Sequence, residues 1–513
     1  MTPLMPMEWM APLMFGGLVV FMLVGYPVAF SLAALGLVSG FASIELGYFE
    51  PVYMSNLPLR VFGILSNDLL LSIPFFTFMG AILERCGLAE DLLEGTGQLF
   101  GAVPGGLAYA VIIVGAVLGA ITGTVAASVI AMGLISLPIM MRYGYDMKTA
   151  TGVIAASGTI TQLIPPSLVL VILADQLGKS VGDMYAGAIG PSIAQVVLFC
   201  LYVAVLSIVR PDAMPALPPS ARTLHGRALL AKVLWGMVPS LALIFLVLGT
   251  IFLGLATPTE AGAMGAVGAL LLAAVNRRLT WPLLHEGMAS TMRITAMVIY
   301  ILIGSTVFSL VFRGVDGDLW LESLLTSLPG GATGFLIFVN AFVFFLAFFL
   351  DFFEIAFIII PMLAPVAVKL GIDLVWFGVL LGANMQTSFM HPPFGLALFY
   401  LRGIAPKEVK SSDIYWGAIP WVVLQLLLVA ILILWPGLVT EFVPKHQTID
   451  PAKVEIRLDE PDGANAAKPA EDAPVGTPAE NTQSNGETPE GKEETPREED
   501  SASELQRQFK MGR

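Results

Sequence analysis

Apolar stretches recur along this chain from Met10 to Leu438, and at roughly 20 residues each they match one α-helical membrane crossing. The chain of 513 residues is 56% hydrophobic and 13% charged, with a mean hydropathy of +0.81. Soluble domains carry about 25% charged residues. The apolar runs are continuous and do not alternate with polar residues, which excludes a membrane β-barrel. We therefore predict an all-α polytopic membrane protein.

The net charge of -13 lies mostly outside the apolar region. From His446 onward the chain has 16 acidic and 8 basic residues, in a segment rich in Pro, Glu, Gly and Thr. Such a composition does not support a packed core. We predict that residues 440–513 form a disordered acidic tail, and we expect no nucleic-acid partner.

The apolar region repeats itself at a nearly constant spacing. The segment "RYGYD" ends at Asp146, and "KLGID" ends 227 residues later at Asp373. The same spacing separates the double proline Pro165 and Pro166 from Pro392 and Pro393. Repeats of this kind are typical of secondary transporters. The sequence therefore predicts two copies of one unit, residues 1–209 and 233–439, joined by a linker at 210–232.

Both copies have the same predicted order of elements. A scaffold of three helices with a short amphipathic arm comes first, at residues 10–101 and 233–328. An apolar stretch too long for one crossing follows, which predicts a re-entrant hairpin, and then a helix interrupted by a double proline. These transport elements occupy 106–175 and 332–401, and closing spans are predicted at 186–209 and 416–438. In the second scaffold the third helix is predicted at 294–313.

The distribution of Lys and Arg predicts the orientation of the chain. Cytoplasmic segments carry an excess of these residues, and the linker holds Arg210, Arg222, Arg227 and Lys232. Five crossings separate the linker from Met1, so the N-terminus is predicted to be periplasmic. Because five is odd, the second copy is inverted relative to the first.

Four interruptions in these helices are the predicted functional sites. Half-helix ends at membrane depth survive only where protein, water or an ion satisfies them, and their N-terminal ends favour anions. Small oxygen-bearing side chains at the breaks are predicted to bind Na⁺ together with freed carbonyls, nearest to Thr124, Ser157, Asp351 and Asn384. The alternative is that each hydroxyl bonds a carbonyl of its own helix. The candidate residues are Thr122, Gly123, Thr124, Ser128, Ser157, Gly158, Thr159, Thr161, Asp351, Glu354, Asn384, Gln386, Thr387 and Ser388.

Positively charged side chains are scarce around these breaks. No Lys or Arg occurs between Thr149 and Gly178 or between Leu374 and Leu401. We therefore expect a substrate anion to be neutralised by half-helix N-termini, hydroxyls and bound Na⁺, without charged side chains. Asp351 is predicted to cap the second half-helix or to face Na⁺, with Glu354 one turn later on the same face.

Several of these segments resemble a known family. "LLSIPFFTFMG", "TPTEAGAMGAVGA", "IPPS" and "HPPFGLALFYLRGIA" are similar to segments of the large membrane subunit of tripartite ATP-independent periplasmic (TRAP) transporters, over roughly residues 8–440. "DFFEIAF" resembles the branch labelled mannitol/chloroaromatic. That family usually has Asp at the position of Asp351 and often a small residue at the position of Glu354.

The resemblance implies a bacterial inner-membrane permease that imports an organic acid. A 2-oxo or 2-hydroxy monocarboxylate is favoured and a C4-dicarboxylate comes next. It also implies a periplasmic substrate-binding protein, a small four-helix membrane subunit, Na⁺ as the coupling ion with no other cofactor, and an elevator motion of the hairpins and broken helices.

Two other functions are alternatives to this one. A stand-alone ion-coupled anion carrier would need no binding protein, and neighbouring genes would distinguish it from the TRAP subunit. An intramembrane enzyme has no support, since the sequence lacks G-x-S-x-G, H-E-x-x-H and a nucleotide-binding loop in a suitable context.

Overall fold

The structure, a computed structural model, describes residues 6–122, 124–223, 226–392 and 395–444. Of the predicted tail, residues 440–444 are described, with Thr440 ending a short helix, and residues 445–513 lie outside the described residues. Every regular element in the described ranges is helical. Eight helices there are long and apolar enough to cross a membrane, or up to ten if each bent pair counts as one span. The prediction of an all-α polytopic membrane protein is confirmed.

The first half of the chain contains ten helices in the described residues. They are α1 (Met10–Val24), α2 (Val28–Glu45), α3 (Leu57–Leu65), α4 (Asp68–Arg85), α5 (Leu88–Phe100), α6 (Gly106–Thr122), α7 (Val125–Arg142), α8 (Met147–Thr159), α9 (Leu168–Leu177) and α10 (Val181–Val209). Helix α6 ends and α7 begins around Gly123, where the first hairpin tip was predicted. Between α8 and α9 the chain makes a short 3-10 turn, Ile160–Gln162, and then passes Pro165 and Pro166.

The second half has a matching order of helices. They are α11 (Gly226–Phe252), α12 (Pro258–Val275), α13 (Trp281–Gly314), α14 (Gly317–Thr326), α15 (Gly331–Leu346), α16 (Phe352–Lys369), α17 (Leu374–Met385), α18 (Leu396–Ile404), α19 (Ser411–Leu434) and α20 (Gly437–Thr440). Helix α17 continues into a 3-10 turn, Gln386–Met390, before the chain reaches α18. The interruptions therefore occur at equivalent points of both halves. The inversion of one half relative to the other stays a prediction.

Two predicted boundaries in the second half are wrong. Helix α11 begins at Gly226, inside the predicted linker of residues 210–232. Helix α13 begins at Trp281 rather than at 294, because Thr280 caps it by accepting the Leu283 N–H at 3.4 Å and Pro282 suits the first turn. The polar residues between 285 and 293 led to the shorter prediction. This error matters because it placed Arg293 outside the helix.

The helices pack in two sets. Helix α12 packs along α4, and α13 packs along α2 and α4. In the other set α8 packs against α6, α7 and α19, and α9 packs against α17. A Cβ at Gly152 would lie 2.3 Å from the Gly417 carbonyl oxygen, so the backbones of α8 and α19 touch there. Helices from different halves of the chain thus share each set.

Candidate functional site

The starts of four helices meet at one cavity of about 290 Å³. Each of the four helices, α7, α9, α16 and α18, directly follows an interruption. The N–H groups of a helix's first turn have no partner within the helix, and the helix dipole is positive at that end. Four such ends around one space favour an anion there. The helix-start residues that line the cavity are Thr124, Val125, Ala126, Leu168, Val169, Asp351, Phe352, Phe353 and Leu396.

The remaining lining of the cavity comes from the 3-10 turns, α13 and α18. Gln162 and Phe389 belong to the two 3-10 turns, and Tyr400 lies on α18. Helix α13 contributes Arg293, Ile294 and Met297. The wall is therefore mainly apolar with a few polar residues in it, as the walls of small-molecule sites commonly are.

Thr124 occupies the N-cap position of α7 at the first hairpin tip. Its backbone is extended, but its hydroxyl makes no capping bond to the first turn of α7. Thr124 lines the cavity, and no capping bond to α7 occupies its hydroxyl within the described residues. Ser128, one turn further along α7, is fully buried. The side chain of Thr122 and the whole of Gly123 lie outside the described residues.

Asp351 and Glu354 form a capping box at the start of α16. A carboxylate oxygen of Asp351 accepts the Glu354 N–H at 3.0 Å, and a carboxylate oxygen of Glu354 accepts the Asp351 N–H at 3.1 Å. Asp351 also lines the cavity. Shortly after this cap, α16 contains one π-turn, Ile355–Ile359, and the carbonyl of Phe357 accepts the Ser305 hydroxyl of α13 at 2.6 Å. The pair therefore fixes the tip while one carboxylate faces the open space.

At the first broken helix two of the three predicted hydroxyls bond their own helix. The Ser157 hydroxyl donates to the Val153 carbonyl at 2.7 Å, and the Thr159 hydroxyl donates to the Ala156 carbonyl at 2.8 Å. The Thr161 Oγ1 atom is buried and has no partner among the described residues. A Cβ at Gly158 would lie 2.2 Å from Val129, so α7 and α8 are in close contact at that position.

The second broken helix is held by an asparagine from the second hairpin. The Asn384 side-chain amide donates to the Asn340 backbone oxygen at 2.7 Å and to its side-chain oxygen at 3.1 Å. The hydroxyls of Thr387 and Ser388 donate to the carbonyls of Asn384 and Met385, at 2.8 and 2.7 Å. Pro392 follows the turn, and Pro393 lies outside the described residues.

Each broken helix is connected to the other half of the chain by one glutamine. Gln195 of α10 donates to the Gln386 side-chain oxygen at 2.7 Å. Gln425 of α19 donates to the Thr159 hydroxyl at 2.9 Å. Thr159 and Gln386 are separated by the repeat spacing of 227, and Gln195 and Gln425 by 230, so the two contacts are equivalent. We call this pair of contacts the glutamine bridges.

Buried oxygens at both breaks match the chemistry of a Na⁺ site. Besides Thr161 Oγ1, the Asn384 Oδ1 atom is buried and accepts no hydrogen bond from the described residues. Amide, hydroxyl and carbonyl oxygens are the ligand types that hard cations take, and an unpaired buried oxygen calls for an ion or a water. Of the four residues predicted nearest to Na⁺, Thr124 and Asp351 share the cavity, whereas Ser157 and Asn384 are not among its lining residues.

The candidate cavity has a positively charged side chain in its lining, which the sequence analysis did not expect. Arg293 lines the cavity, and it was missed because α13 was predicted to start after it. Sequence reasoning also missed Gln162, Asn340, Gln195 and Gln425. One signal was present for most of them, since a single polar residue inside an apolar crossing is expected to face a partner or a cavity.

Interrupted membrane helices whose starts converge on one cavity define a multi-pass membrane transporter. The chain belongs to the family described as "Tripartite ATP-independent periplasmic transporter, DctM component", whose model matches residues 15–438. The resemblance to the large membrane subunit of TRAP transporters is confirmed, and the assignment to the mannitol/chloroaromatic branch stays a prediction.

Several similar proteins are named as TRAP transporter permeases. The chain is 29% identical to the C4-dicarboxylate TRAP transporter large permease protein DctM of Pseudomonas aeruginosa, over 79% of this chain and 92% of that protein. It is 27% identical to the sialic acid TRAP transporter large permease protein SiaM of Vibrio cholerae, over 80% and 93%. It is also 27% identical to the isethionate TRAP transporter permease protein DctMQ of Oleidesulfovibrio alaskensis, over 84% and 65%.

A solved structure shares the fold. The YdaH transporter of Alcanivorax borkumensis superposes with a TM-score of 0.55 at 16% sequence identity, over 76% of this chain and 89% of that one. At this identity the likeness concerns the fold alone.

Proposed function

We propose that this chain is the large permease subunit of a Na⁺-coupled TRAP secondary transporter that imports an organic acid delivered by a periplasmic binding protein. The observation that carries the proposal is the convergence of four helix starts on one cavity, which favours an anion. A 2-oxo or 2-hydroxy monocarboxylate is the first choice of substrate, and a C4-dicarboxylate is the second. The relatives named above carry three different substrates in their names, so family membership alone does not select one.

The coupling ion in this proposal is Na⁺. Its support is a set of oxygens at the breaks. They are the Thr124 hydroxyl, which makes no capping bond, the Asp351 carboxylate, and the buried Thr161 Oγ1 and Asn384 Oδ1 atoms, which have no partner among the described residues. No covalent step is required, so the protein acts as a carrier and not as an enzyme. The free energy for uptake comes from the Na⁺ gradient.

The proposed assembly has two partners and lies in the bacterial inner membrane. A small four-helix subunit binds the scaffold helices, the binding protein docks from the periplasm, and the N-terminus is periplasmic. One relative is named as a DctMQ permease, and this chain covers 65% of it, which is consistent with a second membrane component. The hairpins and broken helices move as an elevator within this assembly.

Uptake into proteoliposomes tests the proposal. The chain is reconstituted with a small TRAP membrane subunit and a periplasmic binding protein from the same organism, and radiolabelled pyruvate, lactate and succinate are offered in turn. We expect accumulation of at least one acid that requires both an inward Na⁺ gradient and the binding protein. Accumulation without the binding protein would instead support a stand-alone carrier, and no accumulation of any acid that the binding protein binds would contradict the transport function.

A further inference from the structure

Arg293 is an exposed charged side chain on α13, a helix long and apolar enough to cross a membrane. It lies 12 residues after the start of α13 and 21 before its end, which at 1.5 Å per residue is about 18 Å and about 31 Å. Its lining neighbours on α13, Ile294 and Met297, are apolar. A charged side chain on an apolar membrane helix is costly and normally faces a partner or a water-filled cavity. The position therefore needs an explanation.

No protein carboxylate supplies that explanation. Within the described part of the chain, no Asp or Glu oxygen lies within 4.0 Å of the Arg293 guanidinium. Asp351 lines the same cavity, but its carboxylate accepts the Glu354 N–H and caps α16. Arg293 thus faces the cavity with its hydrogen-bond donors unused by a nearby acid.

A second polar group faces the same space. Gln162, in the 3-10 turn after α8, is only 6% exposed. Its side-chain amide makes no hydrogen bond to any of the described residues, although it lines the cavity. The amide atoms are therefore accessible from the cavity, where a ligand or a water can pair with them. The cavity therefore offers two unpaired polar side chains in addition to the four helix starts.

We propose that Arg293 binds the carboxylate of the transported acid, or an equivalent oxyanion, and that Gln162 donates a hydrogen bond to a second oxygen of the same molecule. This inference rests on the proposed function and names a specific recognition group within it. A guanidinium presents two parallel N–H donors that match the two oxygens of a carboxylate. Because a cation would be repelled by Arg293, the coupling Na⁺ binds on the Asp351 side of the cavity and at the unpaired oxygens of Thr161 and Asn384, and the acid binds between Arg293 and the helix starts.

The proposed contact also favours a 2-oxo or 2-hydroxy acid as the class of substrate. Such an acid carries a carboxylate and an adjacent oxygen, which match a guanidinium fork and one amide donor. The apolar remainder of the lining, including Phe352, Phe353 and Phe389, would contact the rest of the molecule.

The test measures uptake kinetics of Arg293→Gln, Arg293→Lys and Gln162→Leu in the reconstituted complex. The probe is whichever of radiolabelled pyruvate, lactate and succinate the wild type takes up fastest. The matched control is Arg227→Gln, at an exposed position in the first turn of α11. Fluorescence-detected size-exclusion profiles establish that each variant is folded.

We expect Arg293→Gln to raise KM by about tenfold or more, while the Na⁺ concentration for half-maximal uptake stays as in the wild type. Arg293→Lys keeps the charge but loses the two parallel N–H donors of the guanidinium. Its KM should therefore lie between that of the wild type and that of Arg293→Gln. If Arg293→Gln does not fold, the increase in KM for Arg293→Lys alone decides the matter.

Two results would overturn the inference. One is an unchanged KM in both Arg293 variants. The other is an effect confined to the Na⁺ concentration for half-maximal uptake, which would mean that Arg293 only offsets the negative charge of Asp351. Either result would leave the proposed function intact, because the wild type would still show Na⁺-dependent uptake. Absence of wild-type uptake would instead contradict the proposed function itself.

Discussion

At the scale of single residues, the carboxylate of Asp351 serves the helix and the cavity at once. One oxygen accepts the Glu354 N–H, so the charge is stabilised by the start of α16. The same side chain lines the space where Na⁺ and the acid are proposed to bind. Glu354 returns a bond to the backbone N–H of Asp351, which makes its role mainly one of holding the tip.

Asp351→Asn and Glu354→Gln separate these two roles. Asn is as good an N-cap as Asp, and Gln can replace Glu in a capping box, so both variants should fold. We expect Asp351→Asn to raise the Na⁺ concentration for half-maximal uptake several-fold, while Glu354→Gln changes it little. Uptake measured against Na⁺ concentration in proteoliposomes decides this. An unaltered Na⁺ dependence in both variants would mean that the carboxylates are structural caps.

At the scale of elements, the glutamine bridges hold each broken helix from the opposite half of the chain. Gln195 and Gln425 are both 1% exposed; Gln195 donates to Gln386 in one 3-10 turn, and Gln425 donates to Thr159 just before the other turn and also to the Met390 sulfur at 3.8 Å. Buried amides of this kind lock a segment whose own helical hydrogen bonds are interrupted. The bridges therefore keep the starts of α9 and α18 aimed at the cavity.

Gln195→Leu and Gln425→Leu should each lower the melting temperature of the detergent-purified protein. Removing a buried hydrogen bond and leaving its partner unpaired costs about 1–3 kcal/mol. Gln98→Leu is the control, because Gln98 bonds Thr223 at the exposed surface and such changes stay within about 0.5 kcal/mol. Equal melting temperatures for the buried variants and the control would show that the bridges do not stabilise the breaks.

The order of elements could be predicted from sequence because each break has a local cause. A double proline with small polar residues before it interrupts a helix locally. The positions of Pro165 and Pro392 were therefore sufficient to predict where the two helices break. The start of α13 could not be predicted in the same way. Its first turns contain His285, Glu286 and Arg293, which are polar in sequence and face solvent or the cavity in the fold.

The composition of the candidate site was only partly predictable for a related reason. Thr124 and Asp351 sit at the tips and could be identified from their neighbours in sequence. Arg293 and Gln162 reach the cavity through packing between distant helices, which no local pattern encodes. Asn340 likewise meets Asn384 across 44 positions of sequence.

At the scale of the whole molecule, the two packing sets suit different tasks. Helices α2, α4, α12 and α13 form one set, and α6 to α9 with α17 and α19 form the other. In an elevator the set that carries the substrate moves, so a partner subunit must be clamped to the other set.

Site-specific photo-cross-linking tests where the small subunit binds. A photoreactive amino acid at Phe245 of α11 or Leu271 of α12, both exposed, should cross-link to the co-expressed subunit. The same group at Leu134 of α7 or Phe399 of α18, which are equally exposed, should not. Cross-links mainly from the second pair would contradict a static scaffold made of α11 to α13.

The most direct measurement for the central claim is the modification rate of a cysteine at the cavity. The variant carries Thr124→Cys with Cys86 and Cys200 replaced by Ala, and it is labelled with a membrane-permeant maleimide in proteoliposomes. Asp212→Cys, at an exposed position between α10 and α11, is the control. If the acid and Na⁺ bind where the four helix starts meet, labelling at position 124 should slow several-fold only when both are present, and labelling at position 212 should not change. An unchanged rate at 124 in vesicles that accumulate the acid would contradict the claim, because substrate and ion would then bind elsewhere.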